Sequence, residues 1–391
     1  MRNFKKILFL ALCLALMLTF IACGDDESGQ SSSVSESGKN ENAVTVKFDT
    51  QGGTQIDNAV IEKGEKVSKP NDPEKVGYTF DGWYADGEKW SFDDNIVSTN
   101  TTITAKWTPI EYTLTFDSAD ISPITYTAED TVSLPNITAP SGCAFVGWFE
   151  DEELTKPIPK IEKGSYGNKT LYAKNVPLIF VLKEDTYALN RCDYSAITAS
   201  IPSTYNGKSV TSIDEQAFNG CKNLTSVTIP DSVAVIGQWA FINCISLTSI
   251  DIPSGVKVIA QNTFRGCSKL ESVTIPNTMT SLSHFAFSGC SSLKSVTIPS
   301  SVTEIGWGAF GFCSSLESII IPSNVTEMGK DVFYGCKNLK IFCEATIEPS
   351  EWVLSWNPDN LPVYWYSEIK PVTSGGNYWH YGTNGEIVVW E

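Results

Sequence analysis

Histidine is nearly absent from this 391-residue chain, which has only His284 and His380. No nucleophile elbow, phosphate-binding loop or metal-ligand spacing is present either. A carboxylate pair is always available in an acidic sequence, but nothing in this one fixes such a pair. These absences exclude the recognisable catalytic centres. We therefore predict a protein that is not an enzyme and that has no cofactor and no bound metal.

Basic residues are also scarce. Lys and Arg number 28 against 45 Asp and Glu, which gives a formal charge of −17 at pH 7. A chain with this balance repels the phosphates of nucleic acids, so no nucleic-acid partner is expected. The apolar fraction of 42% is nevertheless typical of globular domains, and the length allows several of them.

The amino terminus lacks an apolar run long enough to span a membrane. The run at residues 7–22 has sixteen residues and follows a basic start, which is typical of a secretory signal. It ends at Ala22-Cys23, and a small residue directly before a cysteine resembles the lipobox of bacterial lipoproteins. The resemblance implies a lipoprotein signal peptide at 1–22 and lipidation of Cys23. An ordinary signal peptide with an incidental cysteine is the alternative.

The segment after Cys23 lacks aromatic side chains and is rich in Ser, Gly, Asn and acidic residues. Such a sequence cannot bury enough apolar surface to offset the entropy of ordering. Residues 23–43 are therefore predicted to be a lipidated cysteine with a flexible tether. The tether would hold the folded part outside the cell, anchored to the membrane through lipid at the bacterial surface.

Two related modules follow the tether, at 44–108 and 109–175. Residues 77–84 match residues 142–149 at Gly, Phe, Gly and Trp, with an offset of 65. The alternation of apolar residues around these segments predicts strands. The repeated unit resembles the internalin B-repeat family, also called the Listeria–Bacteroides repeat. The resemblance implies two small β-grasp-like modules used as a stalk or spacer.

The second module is degenerate, because Ala119-Asp120 stands where the first has Gly52-Gly53. Each module has a central tryptophan, Trp83 or Trp148. Modules of this size need a large aromatic side chain in the core, so core anchors are the favoured interpretation. The alternative is that these tryptophans serve as platforms for sugars.

A strict 23-residue period dominates residues 203–345. A fixed period in this range is typical of a solenoid, here with six units. The columns that we expect inside are Phe218, Phe241, Phe264, Phe287, Phe310 and Phe333, and Cys221, Cys244, Cys267, Cys290, Cys313 and Cys336. One coil cannot offset its ordering entropy alone, so stacking must make the cores continuous.

Each unit contains a short alternating segment such as Val227-Thr228-Ile229, and Pro230 ends that strand because proline cannot donate to a ladder. The unit resembles the BspA-type, or Treponema pallidum-type, leucine-rich repeat. The resemblance implies a surface or secreted protein, often one that adheres to host proteins or other microbes. The predicted fold is mainly β: two β-grasp-like modules, then a leucine-rich-repeat solenoid with short strands and short helical turns.

The flanking segments and the cysteine column complete the interpretation. Residues 176–202 are predicted to form the amino-terminal cap of the solenoid, and residues 346–391, with five tryptophans, the carboxyl-terminal cap. We interpret the periodic cysteines as buried free thiols that act as small hydrophobic residues. Disulfides and a metal site remain as alternatives.

Variable positions just before the Ala-Phe pair of each coil are expected on the outside. They place Trp239, Phe285 and Trp307, with His284, in a predicted partner-binding strip. The alternative is that these rings lie flat against neighbouring coils. In the tail, Tyr378, Trp379 and Tyr381, with His380 between them, are candidates for binding a glycan if the tail does more than cap.

The predicted function is a monomeric, non-catalytic adhesion protein that binds an extracellular protein through its solenoid. One alternative is a protein that binds surface glycans or the cell wall. The other is a passive spacer or antigenic coat protein.

Overall fold

The computed structural model describes residues 42–118, 120–371 and 376–390. The predicted signal peptide, Cys23 and nearly all of the tether lie outside the described residues. Across the described ranges every regular element is a strand, and no helix there is long and apolar enough to cross a membrane. The mainly β fold is therefore confirmed. The connections predicted as short helical turns are single hydrogen-bonded turns.

The first module is a five-stranded mixed sheet. Its strands are β1 (Ala43–Asp49), β2 (Ala59–Glu62), β3 (Tyr78–Ala85), β4 (Glu88–Lys89) and β5 (Thr101–Pro109). The spatial order is β2-β1-β5-β3-β4, and the central pair, β1 and β5, is parallel. Alternate residues of β1 face the core, because side chains along a strand point to opposite faces.

The second module repeats this topology. Its strands are β6 (Tyr112–Phe116), β7 (Ile124–Tyr126), β8 (Val132–Ser133), β9 (Cys143–Phe149), β10 (Pro157–Ile158), β11 (Lys160–Ile161) and β12 (Lys169–Pro177). Strands β7-β6-β12-β9 lie in the order seen in the first module, β10 pairs with β9, and β6 with β12 is the parallel pair. The repeated sequence thus encodes a repeated fold.

The second module and the solenoid share one sheet. The segment between them contains β13 (Ile179–Lys183), β14 (Thr186–Arg191), β15 (Thr198–Ser200), β16 (Thr204–Tyr205) and β17 (Lys208–Ile213). Strand β15 pairs antiparallel with β9 of the module. On its other edge it pairs in parallel with the first solenoid strand, at Thr198 and Ser226. The sheet therefore passes from module to solenoid without a break.

Short parallel strands line the solenoid in two columns. One column contains β18 (Ser226–Thr228), β20 (Ser249–Asp251), β22 (Ser272–Thr274), β25 (Ser318–Ile321) and β27 (Lys340–Cys343). The other contains β19 (Val235–Ile236), β21 (Val258–Ile259), β23 (Ser281–Leu282), β24 (Glu304–Ile305) and β26 (Glu327–Met328). Partners in most of these strand pairs lie 23 residues apart, as for Ser249 and Ser272, whereas β25 and β27 at the end of the array pair 22 residues apart, at Ser318 and Lys340. The sequence period is therefore the coil length.

The phenylalanine and cysteine columns form a continuous interior. All twelve side chains are fully buried. Successive phenylalanine rings stack nearly parallel, with centroids 4.7 to 5.9 Å apart. Each later thiol donates to the phenylalanine carbonyl of the preceding coil, as Cys267 Sγ does to the Phe241 oxygen at 3.2 Å. All six cysteines are free thiols. Each of these phenylalanine carbonyls also accepts from the backbone N–H of the cysteine three residues later, so the thiol is its second donor.

The carboxyl-terminal residues close the open end of the solenoid. Strands β28 (Val363–Tyr366), β29 (Tyr378–Tyr381) and β30 (Ile387–Val389) extend the sheet that β25 and β27 begin. Trp352 and Trp356 pack together in the main core, and Trp356 meets the edge of Phe333 in the last coil. The tryptophan-rich tail thereby covers apolar surface that the final coil would otherwise leave exposed.

Candidate functional site on the turns of the solenoid

The turns around each core phenylalanine force two residues per coil into the left-handed region. One column, two residues before the phenylalanine, is Gln216, Trp239, Asn262, Phe285, Gly308 and Asp331, with φ between 54° and 60°. The other, two residues after it, is Gly220, Asn243, Gly266, Gly289, Phe312 and Gly335, with φ between 59° and 81°. Bulky residues rarely adopt this conformation, so aromatic residues in these columns are conspicuous.

Phe285 and Trp307 form the first aromatic pair. Their ring centroids are 4.9 Å apart, and the backbone N–H of Phe285 donates to the Trp307 carbonyl. The guanidinium of Arg265 lies 5.3 Å from the centre of the Phe285 ring. Phe285 is half-buried, whereas Trp307 is 44% exposed and can meet a partner. The two predicted residues are therefore brought together.

Trp239 does not join this pair. It is half-buried and stands two coils before Phe285. The intervening coil presents Asn262, which is buried, so no continuous strip runs from Trp239 to Phe285. Of the three aromatic residues in the predicted strip, only Phe285 and Trp307 lie together.

A second aromatic pair was missed by the sequence analysis. Phe312 and Tyr334 meet edge to face at 5.2 Å, and they are 55% and 46% exposed. Trp307 and Phe312 flank one turn, which the Gly311 N–H closes by donating to the Gly308 carbonyl. We call Phe285, Trp307, Phe312 and Tyr334 the aromatic patch. The sequence could have revealed Phe312, because it interrupts a column in which four other coils have glycine.

An acidic cavity adjoins the aromatic patch. It has a volume of about 320 Å³, and Glu304, Glu327, Glu351 and His284 contribute to its lining. The Nδ1 of His284 accepts a hydrogen bond from the backbone N–H of Trp307 at 3.0 Å, which ties the cavity to the patch. Within the described ranges none of the three glutamates forms an ion pair. The cavity therefore presents uncompensated negative charge.

The tail candidates separate into different environments. Trp379 is 0% exposed, and its Nε1 donates to the Cys343 carbonyl at 2.9 Å. The suggestion that Trp379 stacks on a glycan is therefore wrong, because the cap needs this ring as its core. Tyr378 is half-buried, whereas Tyr381 is exposed and donates to Glu344 at 2.6 Å. Burial and this hydrogen bond raise the pKa of Tyr381.

Comparison with known families agrees with these features. Residues 186–307 and 211–340 match the BspA type leucine rich repeat region, in six copies. The chain carries BspA-type leucine-rich repeats. Residues 45–106 and 112–174 match the Listeria-Bacteroides repeat domain, so both resemblances drawn from the sequence are confirmed.

Three relatives are similar to about a third of the chain. Internalin H of Listeria monocytogenes is 32% identical over 138 residues, covering 34% of this chain and 25% of that protein. Two proteins of Evansella cellulosilytica, both named as membrane proteins, are 34% and 33% identical over 139 residues, again 34% of this chain. The matches span only 16 to 25% of these relatives. Two of these relatives are named as membrane proteins and the third as an internalin, which favours an extracytoplasmic location.

Two solved structures are similar to part of the chain. A T. pallidum leucine-rich repeat protein is 34% identical, with a TM-score of 0.41, and the match covers 42% of this chain and 78% of that one. A leucine-rich cell surface protein of Faecalibacterium prausnitzii is 29% identical, with a TM-score of 0.36, covering 54% and 58%.

Proposed function

We propose that this chain is a non-catalytic adhesion protein that binds an extracellular protein through the aromatic patch. One observation carries the proposal. Phe312 adopts φ 60° in a column where four other coils have glycine, and its ring points outward beside Tyr334. Strained backbone at an exposed aromatic residue lowers stability without filling the core, which favours a role in binding.

The acidic cavity indicates the chemistry of the partner. A partner with lysine or arginine side chains among apolar ones would place the apolar groups on the aromatic patch. It would place its basic groups near Glu304, Glu327 and Glu351. Complementary charge of this kind speeds association and selects partners. The formal charge of the whole chain, −17, has the same sign as the charge of the cavity. The partner class is thus a protein with a basic surface.

The remaining parts of the chain support presentation at a surface. We propose lipidation at Cys23, which would anchor the chain as a monomer to a bacterial membrane. The tether and the two modules would then act as a spacer. Among the described residues no group of three or more His, Cys, Asp or Glu is placed to hold a metal, and the proposal requires neither metal nor cofactor.

Surface plasmon resonance tests the proposal. The full chain is passed over immobilised extracellular matrix proteins of basic isoelectric point, first as wild type and then as Trp307→Ala and Tyr334→Ala. Each substitution is expected to weaken binding by about tenfold or more, because exposed aromatic residues contribute most to interfaces. Tyr194→Ala is the matched control, since Tyr194 is an exposed aromatic residue outside the patch.

Two results would contradict the proposal. One is binding that both patch variants retain at wild-type affinity. The other is equal loss in Tyr194→Ala, which would indicate a general effect of removing surface aromatic residues. Glu327→Gln separates the contribution of the cavity, because loss of a rim charge lowers the association rate and its salt dependence more than the dissociation rate.

A further inference from the structure

The repeated modules contain the same cleft twice. In the first module it is lined by Phe80, Gly82 and Trp83, and its volume is about 290 Å³. In the second it is lined by the corresponding residues, Phe145, Gly147 and Trp148, and its volume is about 420 Å³. The two clefts share their origin in the repeated segment, so differences between them reflect their other lining residues.

The cleft of the second module is accounted for by the packing of the chain itself. The Nε1 of Trp148 donates to the Pro135 carbonyl at 2.7 Å. Ile197, from the segment that leads into the solenoid, lines the cleft and lies over Gly147. The other lining residues are mostly apolar, including Pro157 and Ile158. This cleft therefore serves the junction between module and solenoid.

The cleft of the first module has no such explanation. Trp83 is only 2% exposed, yet its Nε1 has no hydrogen-bond partner. The Nε1 of Trp90, which lines the same cleft, has none either. In the described part of the chain just three buried side-chain nitrogen or oxygen atoms lack a partner, and these are two of them. Buried donors without a partner are rare in native proteins. Both atoms are inaccessible to solvent, so a ligand in the cleft satisfies them only if the side chains that cover them shift.

Charged side chains line the same cleft. Lys69 and Asp72 form a salt bridge at 3.0 Å on the rim, and Lys89 extends its side chain over Gly82. Asp81 stands where the second module has Val146, and it accepts a hydrogen bond from Thr108 at 2.7 Å. The first cleft thus combines aromatic walls with donors and acceptors of both charges.

We propose that the first module binds a neutral sugar residue in this cleft. A pyranose ring offers apolar C–H faces to Phe80, Trp90 and Phe92, which line the cleft. Its hydroxyl protons donate to carboxylates such as Asp81, and its hydroxyl oxygens accept from the two indole N–H groups once the side chains that cover these groups shift. The two lysines and two aspartates of the cleft balance in charge, which favours a neutral ligand over an ion, and their presence disfavours an apolar peptide segment. This site is separate from the aromatic patch and independent of the function proposed for it.

Nuclear magnetic resonance provides a direct test. The full chain is labelled with 15N-tryptophan, and the indole N–H signals are followed while cellotriose or maltotriose is added to about 10 mM, a range suited to weak sites. Trp90→Phe assigns its own signal. Trp83 and Trp90 are expected to shift, whereas Trp148 is expected to stay, because its N–H is already bonded. Asp81→Val, which introduces the residue of the second module, is expected to weaken binding by about tenfold.

Asp57→Asn is the matched control, since it removes an exposed carboxylate outside the cleft and is expected to bind as wild type. The proposal is overturned if neither trisaccharide shifts the Trp83 and Trp90 signals of the folded protein. It is equally overturned if Asp81→Val binds as tightly as wild type. Shifts caused by a short peptide or by acetate, with both sugars silent, would assign the cleft to a different ligand class.

Discussion

The ring of Phe285 lies directly against Gly308 of the next coil. A β-carbon at Gly308 would come within 2.6 Å of Phe285 Cε1. Gly308 also adopts φ 59°, in the same left-handed column as Phe285 itself. The missing side chain therefore makes room for the aromatic ring, and two coils combine to fix the position of the aromatic patch.

Gly308→Ala should destabilise the solenoid and displace the Phe285 ring. The new β-carbon would clash with the ring, and the left-handed backbone disfavours alanine. We expect a loss of about 2 kcal/mol in the free energy of unfolding, measured by urea denaturation. Gly220→Ala is the control, because Gly220 has φ 73° but open space around its β-position. Equal losses in the two variants would show that Phe285 does not depend on Gly308.

Phe312→Gly should separate binding from stability. The substitution restores the glycine of the column and removes backbone strain, but it also removes the contact with Tyr334. We expect the free energy of unfolding to stay constant or rise by up to about 1 kcal/mol, while affinity for a basic protein partner falls. Phe312→Ala keeps the left-handed backbone strain but removes the ring, so we expect both the free energy of unfolding and the affinity for the partner to fall. A clear loss of stability in Phe312→Gly would mean that the ring is structural.

The repeat predicted the interior well because equal coils must stack in register. Once Phe218 and Cys221 are inside, the residues 23 positions later are inside too. The same rule could have exposed Phe312 as the exception in its column, and it places Glu304 beside Glu327. Glu351 joins them from the cap, which obeys no period, so the acidic cavity could not be predicted.

Trp379 shows the second limit of sequence reasoning. Its burial depends on strand β29 joining, through β28, the sheet that β27 belongs to, which places the ring against Phe342 and Cys343. A capping segment has no internal copy against which to compare it, so the pattern could not distinguish a core tryptophan from an exposed one. The cleft of the first module is a similar case. Its repeat predicted the shared tryptophan, but the rim residue Lys69 and the partner of Trp148, Pro135, lie outside the matched segment.

Alkaline pH should weaken the solenoid through its buried thiols. Burial raises the pKa of Cys267 from an ordinary value of 9.0 to about 12. Between these values the unfolded chain has lost a proton that the folded chain keeps. The contribution of this thiol to the free energy of unfolding is therefore fully present below pH 9. It decreases by about 1.4 kcal/mol per pH unit between pH 9 and pH 12.

The comparison with Cys267→Ala isolates this effect from the titration of lysines and tyrosines. The free energies of unfolding of wild type and variant are measured in urea at pH 8 and pH 10.5. The stability advantage of wild type is expected to decrease over this range. An advantage that stays constant would show that the thiol ionises as easily inside the solenoid as in the unfolded chain.

Trp379→Ala should loosen the carboxyl-terminal cap. The ring is fully buried, meets Phe342 and Tyr366 edge to face, and bonds the Cys343 carbonyl. Loss of such a side chain lowers stability by about 3–5 kcal/mol. Because repeat proteins can open locally, hydrogen exchange of the β27 amides is the suitable measurement. Tyr378→Ala, on the same strand, is the control and should accelerate exchange far less. If Trp379→Ala left hydrogen exchange unchanged but no longer bound to an immobilised polysaccharide, the ring would bind sugar and would not be needed by the cap.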